Sequence, residues 1–105
     1  MTEARFDLGN TEAFEENSMT PVEVAGEELL IIRQEGEFYA LPNECTHAKF
    51  PLHDGELLEG KVKCQYHGAT YDLETGRASL PAVKKIRLFT TSVENDTLYV
   101  TLQES

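Results

Sequence analysis

A chain of 105 residues with a formal charge of -10 fits one small domain and leaves little room for a separate catalytic domain. Nineteen acidic residues against nine basic ones repel nucleic acid phosphates and anionic lipid, so we expect a basic protein surface as the partner. The first residues lack a cationic start and an apolar run, and no stretch reaches the roughly 18 apolar residues of a membrane span. These features predict a cytoplasmic protein with no anchor.

The part of the chain before residue 43 is predicted to form short β-strands. An edge strand ends at Gly9 and Asn10, and one helical turn follows with Asn10 or Thr11 as its cap. A continuous apolar run predicts a strand that is buried on both faces. The predicted strands before residue 43 are 5–8, 21–24, 29–33 and 38–41, with turns at 25–27 and 34–37.

The part of the chain after residue 68 carries a second set of β signals. Residues 69–72 are predicted to form a strand, and Gly76 is free to take a positive φ in the turn that follows. Residues 86–93 and the alternating residues 98–101 predict a hairpin with one buried face. The expected fold is all-β, a single antiparallel sandwich or barrel with one long insertion.

Both cysteines and two of the three histidines lie in two short boxes in the insertion. The boxes are Cys45-Thr46-His47 and Cys64-Gln65-Tyr66-His67, with sixteen residues between them. Each box offers one thiolate and one imidazole. Two cysteines in an intracellular chain more often bind metal or do redox chemistry than form a structural disulfide, so we expect a metal centre with two sulfur and two nitrogen ligands.

Ligand type alone leaves the metal open. Two thiolates and two imidazoles suit tetrahedral zinc, and they equally suit a 2Fe-2S cluster in which one iron takes two cysteines and the other takes two histidines. Zinc fingers pair like ligands close together, whereas here each loop carries one ligand of each kind. This alternation favours the two-iron centre.

The boxes, with Gly68 and Tyr71-Asp72 after them, resemble the Rieske 2Fe-2S proteins, and in particular the small soluble Rieske-type ferredoxins. The resemblance extends over nearly the whole chain. It implies one cluster in a subdomain at 43–80, on a β base formed by 1–42 and 81–105. The implied ligands are Cys45, His47, Cys64 and His67. The residues implied to tune or shield the cluster are Leu52, Ala69, Tyr71 and Pro81.

Departures from the family pattern indicate the subtype. The high-potential members carry an extra cysteine in each box, and the matching residues here are Phe50 and Tyr66, so a disulfide between these two positions is impossible. The position of a hydrogen-bonding serine is Ala69, whereas the corresponding tyrosine is kept as Tyr71. We therefore expect a potential in the lower half of the roughly -150 to +300 mV Rieske range.

The remaining histidine limits what the chain can do alone. His53 is interpreted as an exposed loop histidine and not as a ligand, and Lys49 as a solvated side chain. A Rieske oxygenase needs a second iron held by two histidines and a carboxylate, which one spare histidine cannot provide. The chain is therefore expected to be an electron carrier and not an enzyme.

By family analogy, the carrier is a monomer that passes electrons from a flavin-dependent reductase to a terminal oxygenase of the aromatic-ring dioxygenase type. Its contacts with both are expected to be transient and electrostatically steered. One alternative is a small subunit of a larger oxidoreductase, such as a nitrite-reductase-like complex. The other is a zinc-stabilised interaction module with no redox role.

Overall fold

A computed structural model describes residues 2–44, 51–65, 68–79 and 85–104. Nine antiparallel strands in these ranges form three sheets of three strands each. The predicted all-β antiparallel fold is confirmed. No helix in the described ranges is long and apolar enough to cross a membrane.

The first sheet joins the two ends of the chain. Its strands are β1 at Thr2–Asn10, β8 at Thr90–Glu94 and β9 at Thr97–Glu104, with β9 in the middle. Leu98, Val100 and Leu102 of β9 are buried, which confirms the predicted alternation. The strand predicted over 5–8, with Gly9 and Asn10 as its end, extends as β1 to Asn10, because a register shift between Asp7 and Gly9 lets pairing with β9 continue.

The second sheet is formed by the three strands that follow β1 and the first 3-10 turn in the sequence. Its strands are β2 at Ser18–Val24, β3 at Glu27–Gln34 and β4 at Glu37–Pro42. The central strand β3 is buried on both faces, as predicted. Leu30 and Ile32 pack in one hydrophobic cluster, while Leu29 and Ile31 pack in the other with residues of β9. Strand β3 is therefore the wall shared by both parts of the core.

The third sheet lies within the predicted insertion. Its strands are β5 at Glu56–Leu58, β6 at Lys61–Lys63 and β7 at Thr70–Asp72. Only β7 was predicted. Strands β5 and β6 have three residues each, and Val62 is their one fully buried residue. Segments this short, with charged residues at 56, 61 and 63, show almost no hydrophobic periodicity in the sequence.

Two 3-10 turns complete the fold. The first, Thr11–Ala13, is capped by Asn10, whose Oδ1 accepts the Glu12 N–H at 2.7 Å. Of the two predicted caps, Asn10 and Thr11, the structure therefore uses Asn10. The second is Leu52–Asp54. The predicted strand over 86–89 is wrong, because the main chain at 85–88 is irregular and only Phe89 bridges to Ala40.

Candidate metal centre

Cys64 is the one predicted ligand that the structure describes. Cys64 comes directly after β6 and is fully buried. Cys45, His47 and His67 lie outside the described residues, as do Pro81, Phe50, Tyr66 and Lys49.

The second box is held by a tight hairpin loop. The Cys64 N–H donates to the Ala69 carbonyl oxygen at 2.7 Å, while Lys63 pairs with Thr70 in the β6–β7 ladder. Gly68 has a φ of +73°, which suits glycine and allows the chain to turn back into β7. Cys64 and Ala69 thus close the short loop that carries His67.

The surroundings of Cys64 are apolar. Leu52, Ala69 and Tyr71 are fully buried and belong to the same hydrophobic cluster as Cys64, together with Leu30 and Ile32 of β3. Three of the four residues expected to tune or shield a cluster therefore pack in one core with a predicted ligand. Such a site excludes water on the protein side, which strengthens electrostatic interactions within it.

The first box is bracketed by a contact that the sequence did not predict. The Asn43 Nδ2 atom lies 2.6 Å from His53 Nδ1, and Asn43 Oδ1 accepts the backbone N–H of His53 at 2.9 Å. The backbone N–H of Asn43 donates to Glu28 O at 3.1 Å. Asn43 is buried, whereas His53 keeps 36% of its side chain exposed. We call this pair the Asn43–His53 clasp.

Gln34 joins the second sheet to the third. Its Nε2 donates to Leu58 O at 2.8 Å, and its Oε1 accepts the Gly60 N–H at 2.7 Å. The nitrogen and the oxygen of this buried amide therefore both form hydrogen bonds with the backbone at the β5–β6 turn. The turn expected at 34–37 begins one residue later, because Gln34 is the last residue of β3. A signal was available in the sequence: Gln34 shares a strand face with the buried Leu30 and Ile32, where an unpartnered amide would be costly.

Glycine allows a close backbone approach next to Cys64. A Cβ atom on Gly55 would overlap the carbonyl oxygen of Lys63, although Gly55 has an ordinary φ of -86°. The requirement is therefore for space and not for an unusual conformation. Beside it opens a cleft of about 280 Å³, lined by Asp54, Gly55, Glu56, Lys63, Cys64 and Gln65.

The turn after β7 is fixed by Asp72. Its Oδ1 accepts the N–H groups of Glu74 at 2.8 Å and Thr75 at 3.1 Å. These two hydrogen bonds, and then the charge of Lys61, lower the pKa of Asp72 below its usual range. Gly76 has a φ of +77° in this turn, as predicted. The turn holds β7, and with it Tyr71, in register.

The donor set fits an iron-sulfur cluster. Two thiolates and two imidazoles, one of each in each box, are the ligands of a Rieske-type 2Fe-2S centre. In the described ranges no three His, Cys, Asp or Glu residues come together in a metal-binding group. Cys64 would therefore need the ligands of the first box and His67 to complete a site.

Comparisons with known proteins agree with a 2Fe-2S centre. The family profile of the Rieske 2Fe-2S domain matches residues 4–90. The ferredoxin component of the naphthalene 1,2-dioxygenase system of Pseudomonas aeruginosa is 32% identical over 103 residues, covering 97% of this chain and 99% of that protein. Human apoptosis-inducing factor 3 is 33% identical over 87 residues, covering 82% of this chain. The alignment spans only 14% of that longer protein.

A solved structure has the same fold. The ferredoxin of carbazole 1,9a-dioxygenase from Nocardioides aromaticivorans IC177 superposes with a TM-score of 0.86 at 25% identity. The superposition covers 91% of this chain and 95% of that one. The fold and the family profile therefore agree over most of the chain.

Proposed function

The chain belongs to the Rieske 2Fe-2S domain family, and we propose that it is a soluble one-electron carrier and not an enzyme in its own right. We assign Cys45 and Cys64 as ligands of one iron, and His47 and His67 as ligands of the other. When bound, the cluster supplies one-electron redox chemistry at a higher potential than an all-cysteine cluster would.

The full burial of Cys64 carries this assignment. A cysteine among Leu52, Ala69 and Tyr71 has its sulfur shielded from water, while the next residue, Gln65, is exposed. An electron carrier needs this arrangement, with one side packed against the protein and the other accessible to a partner. We propose that the histidines stand on the accessible side.

We further propose that 43–80 form a cluster-binding subdomain on a base made of 1–42 and 81–105. The third sheet supports this division, because its strands β5, β6 and β7 all lie within 56–72. Among the described residues these strands pair with one another, and the isolated bridge from Tyr71 reaches Ala78, which also lies within 43–80. Gln34 links this sheet to β3 of the base. The division predicts that amide exchange in the third sheet becomes faster on cluster removal, while β3 and β9 stay protected.

The proposed partners are a flavin-dependent reductase as electron donor and a terminal oxygenase of the aromatic-ring type as acceptor. Two relatives support this choice, since one is a component of a naphthalene dioxygenase system and another is the ferredoxin of a carbazole dioxygenase. A charge of -10 favours transient contacts with basic surfaces. We therefore expect transfer rates to fall as salt is added, and constant rates would contradict steering.

A second role is favoured by one observation. The same domain matches only 14% of human apoptosis-inducing factor 3, so a Rieske domain of this kind also occurs within a much longer protein. This chain could likewise work as a tightly bound subunit of a larger oxidoreductase. Size-exclusion chromatography of the native protein from its host separates the two roles, because a free cytoplasmic carrier elutes as a monomer.

The deciding experiment is electron paramagnetic resonance of the dithionite-reduced protein, with iron and zinc measured on the same sample. We expect the signal of a cluster with mixed cysteine and histidine ligands. Cys64→Ser and His67→Ala are expected to lose or change this signal, whereas His53→Gln is expected to keep it. A silent spectrum with stoichiometric zinc would overturn the proposal in favour of a zinc-stabilised module.

A further inference from the structure

A groove of about 700 Å³ opens between β4, the turn after β7 and the segment that leads into β8. One wall is β4 and the other is the segment Leu88–Thr90, with the turn at Leu73–Glu74 between them. The walls are tied together by the Phe89 N–H, which donates to Ala40 O at 2.8 Å, and by Thr91 Oγ1, which donates to Phe38 O at 3.0 Å. The groove is therefore preformed.

The lining of the groove combines carboxylates with aromatic rings. Glu35, Glu37 and Glu74 supply the carboxylates, and the rings are Phe38, Tyr39 and Phe89. Within the part of the chain that the structure describes, none of the three carboxylates has a cation within 4.0 Å. No salt bridge among the described residues therefore offsets their charges at the mouth of a concave surface, where the potential is focused.

The pKa of Tyr39 responds to the negative charge in the groove. Burial raises the pKa of its hydroxyl above the ordinary 10.0, and the charges of Glu37, Glu74 and Glu35 raise it further. The phenol is therefore kept neutral among negative charges. A cation in the groove would meet several carboxylates and a neutral ring face at once.

The size and the lining select the kind of cation. A bare metal ion needs far less space than about 700 Å³. The rings of this region already accept guanidinium groups, since Arg87 lies 4.9 Å from the Phe89 centroid and Arg33 lies 5.2 Å from the Phe38 centroid. Guanidinium stacks on aromatic rings and pairs with carboxylates in two directions, which ammonium does less well.

We propose that this groove docks an arginine-bearing segment of a protein partner, at a place separate from the cluster loops. Strand β4 begins at the groove with Glu37 and ends at Pro42, about 17 Å further along by strand rise, and the first box follows Pro42 in the sequence. A partner segment at the start of this strand is therefore expected to leave the cluster loops free. The groove adds affinity and orientation without taking part in electron transfer.

The test uses a blocked hexapeptide with two arginines, titrated into the cluster-loaded, ¹⁵N-labelled protein. We expect saturable shifts of the amides of Phe38, Tyr39, Glu74 and Phe89. The same peptide with citrulline, a neutral isostere of arginine, is expected to cause none. Equal shifts with both peptides, shifts spread over the whole acidic surface, or saturation of the same amides by Mg²⁺ alone would overturn the proposal.

Matched variants remove the remaining ambiguity. The pair Glu37→Gln and Glu74→Gln is expected to weaken peptide binding about fivefold or more. The control pair Glu12→Gln and Glu15→Gln makes the same change in net charge on exposed residues outside the groove and is expected to change binding less than about twofold. If both pairs lost the same peptide affinity, the binding would depend only on the net charge of the protein, and the proposed groove would be wrong. The visible spectrum of the cluster, recorded on every sample, keeps this result separate from the electron-carrier proposal.

Discussion

The side chain of Asn43 is bonded twice to His53, so the two residues close the base of the segment that carries Cys45 and His47. A backbone N–H can only donate, and that of His53 lies 2.9 Å from Asn43 Oδ1, which identifies this atom as the oxygen. The amide nitrogen must then face His53 Nδ1, at 2.6 Å. Because that nitrogen also donates, Nδ1 accepts, and the ring proton of the neutral histidine lies on Nε2.

The clasp predicts the tautomer of His53. Long-range ¹H–¹⁵N correlation spectra at neutral pH are expected to show the proton on Nε2, the atom that lies 3.4 Å from Asp54 Oδ1. In Asn43→Ala we expect a mixture of both tautomers, because the donor that selects one of them is gone. A proton on Nδ1 in the unmodified protein would contradict the clasp.

Removal of the clasp is expected to loosen the first box. Asn43→Ala leaves the His53 N–H without its acceptor and should lower the free energy of unfolding by about 1–2 kcal/mol, with faster loss of visible absorbance from the cluster. Asn10→Ala is the matched control, since it removes a similar bond to the Glu12 N–H at a cost of about 1 kcal/mol. The control should not speed cluster loss. Equal rates of loss in both variants would show that general stability is the cause.

Tyr39 is expected to ionise above the ordinary phenol pKa of 10.0, because burial and then the charges of Glu37 and Glu74 disfavour the phenolate. The raised pKa favours folding below pH 10, and this contribution is lost as the pH rises through the folded-state value. Phenolate absorbance, with Tyr39→Phe as the subtraction, measures the titration. Glu37→Gln should lower the pKa of Tyr39, and Glu12→Gln should leave it unchanged.

Gly55 is expected to be irreplaceable for reasons of space. In Gly55→Ala the added methyl group meets the backbone oxygen of Lys63, so we expect a loss of about 3 kcal/mol in the free energy of unfolding. Gly60→Ala is the matched control, because nothing lies within 4 Å of its added Cβ. There a φ of +71° alone should cost about 1 kcal/mol. Urea unfolding measures both, and equal costs would exclude the close approach as the cause.

Ala69 is expected to keep the reduction potential low. In Ala69→Ser a hydroxyl enters a fully buried position next to Cys64, where it can donate to the cluster or to a cysteine sulfur. One such hydrogen bond should raise the midpoint potential by about 20–60 mV. Tyr71→Phe should change it in the opposite direction if Tyr71 donates in the same way. A redox titration measures both variants against the unmodified protein.

The strands that were predicted correctly have strong local patterns. The run Leu29–Ile32 is long and apolar enough to indicate a strand buried on both faces, and the alternation of Leu98 and Val100 indicates one with a single buried face. Strands β5 and β6 have neither pattern, and they form because Val62 is buried and Gln34 bonds to their turn. Such short strands depend on contacts from distant parts of the chain.

By itself the sequence predicted the donor set and pointed to the family, since two Cys and His boxes of this spacing carry both predictions whatever the surrounding fold. Only the tertiary structure decided which residues support the boxes. Asn43 and His53 lie ten residues apart, and Gln34 and Gly60 lie 26 apart, so no local periodicity links them. The groove likewise forms only where the fold brings together Glu37 of β4, Glu74 of the turn after β7 and Phe89 of the segment before β8. Ligand identity is encoded residue by residue, whereas support and docking depend on which segments the fold makes neighbours.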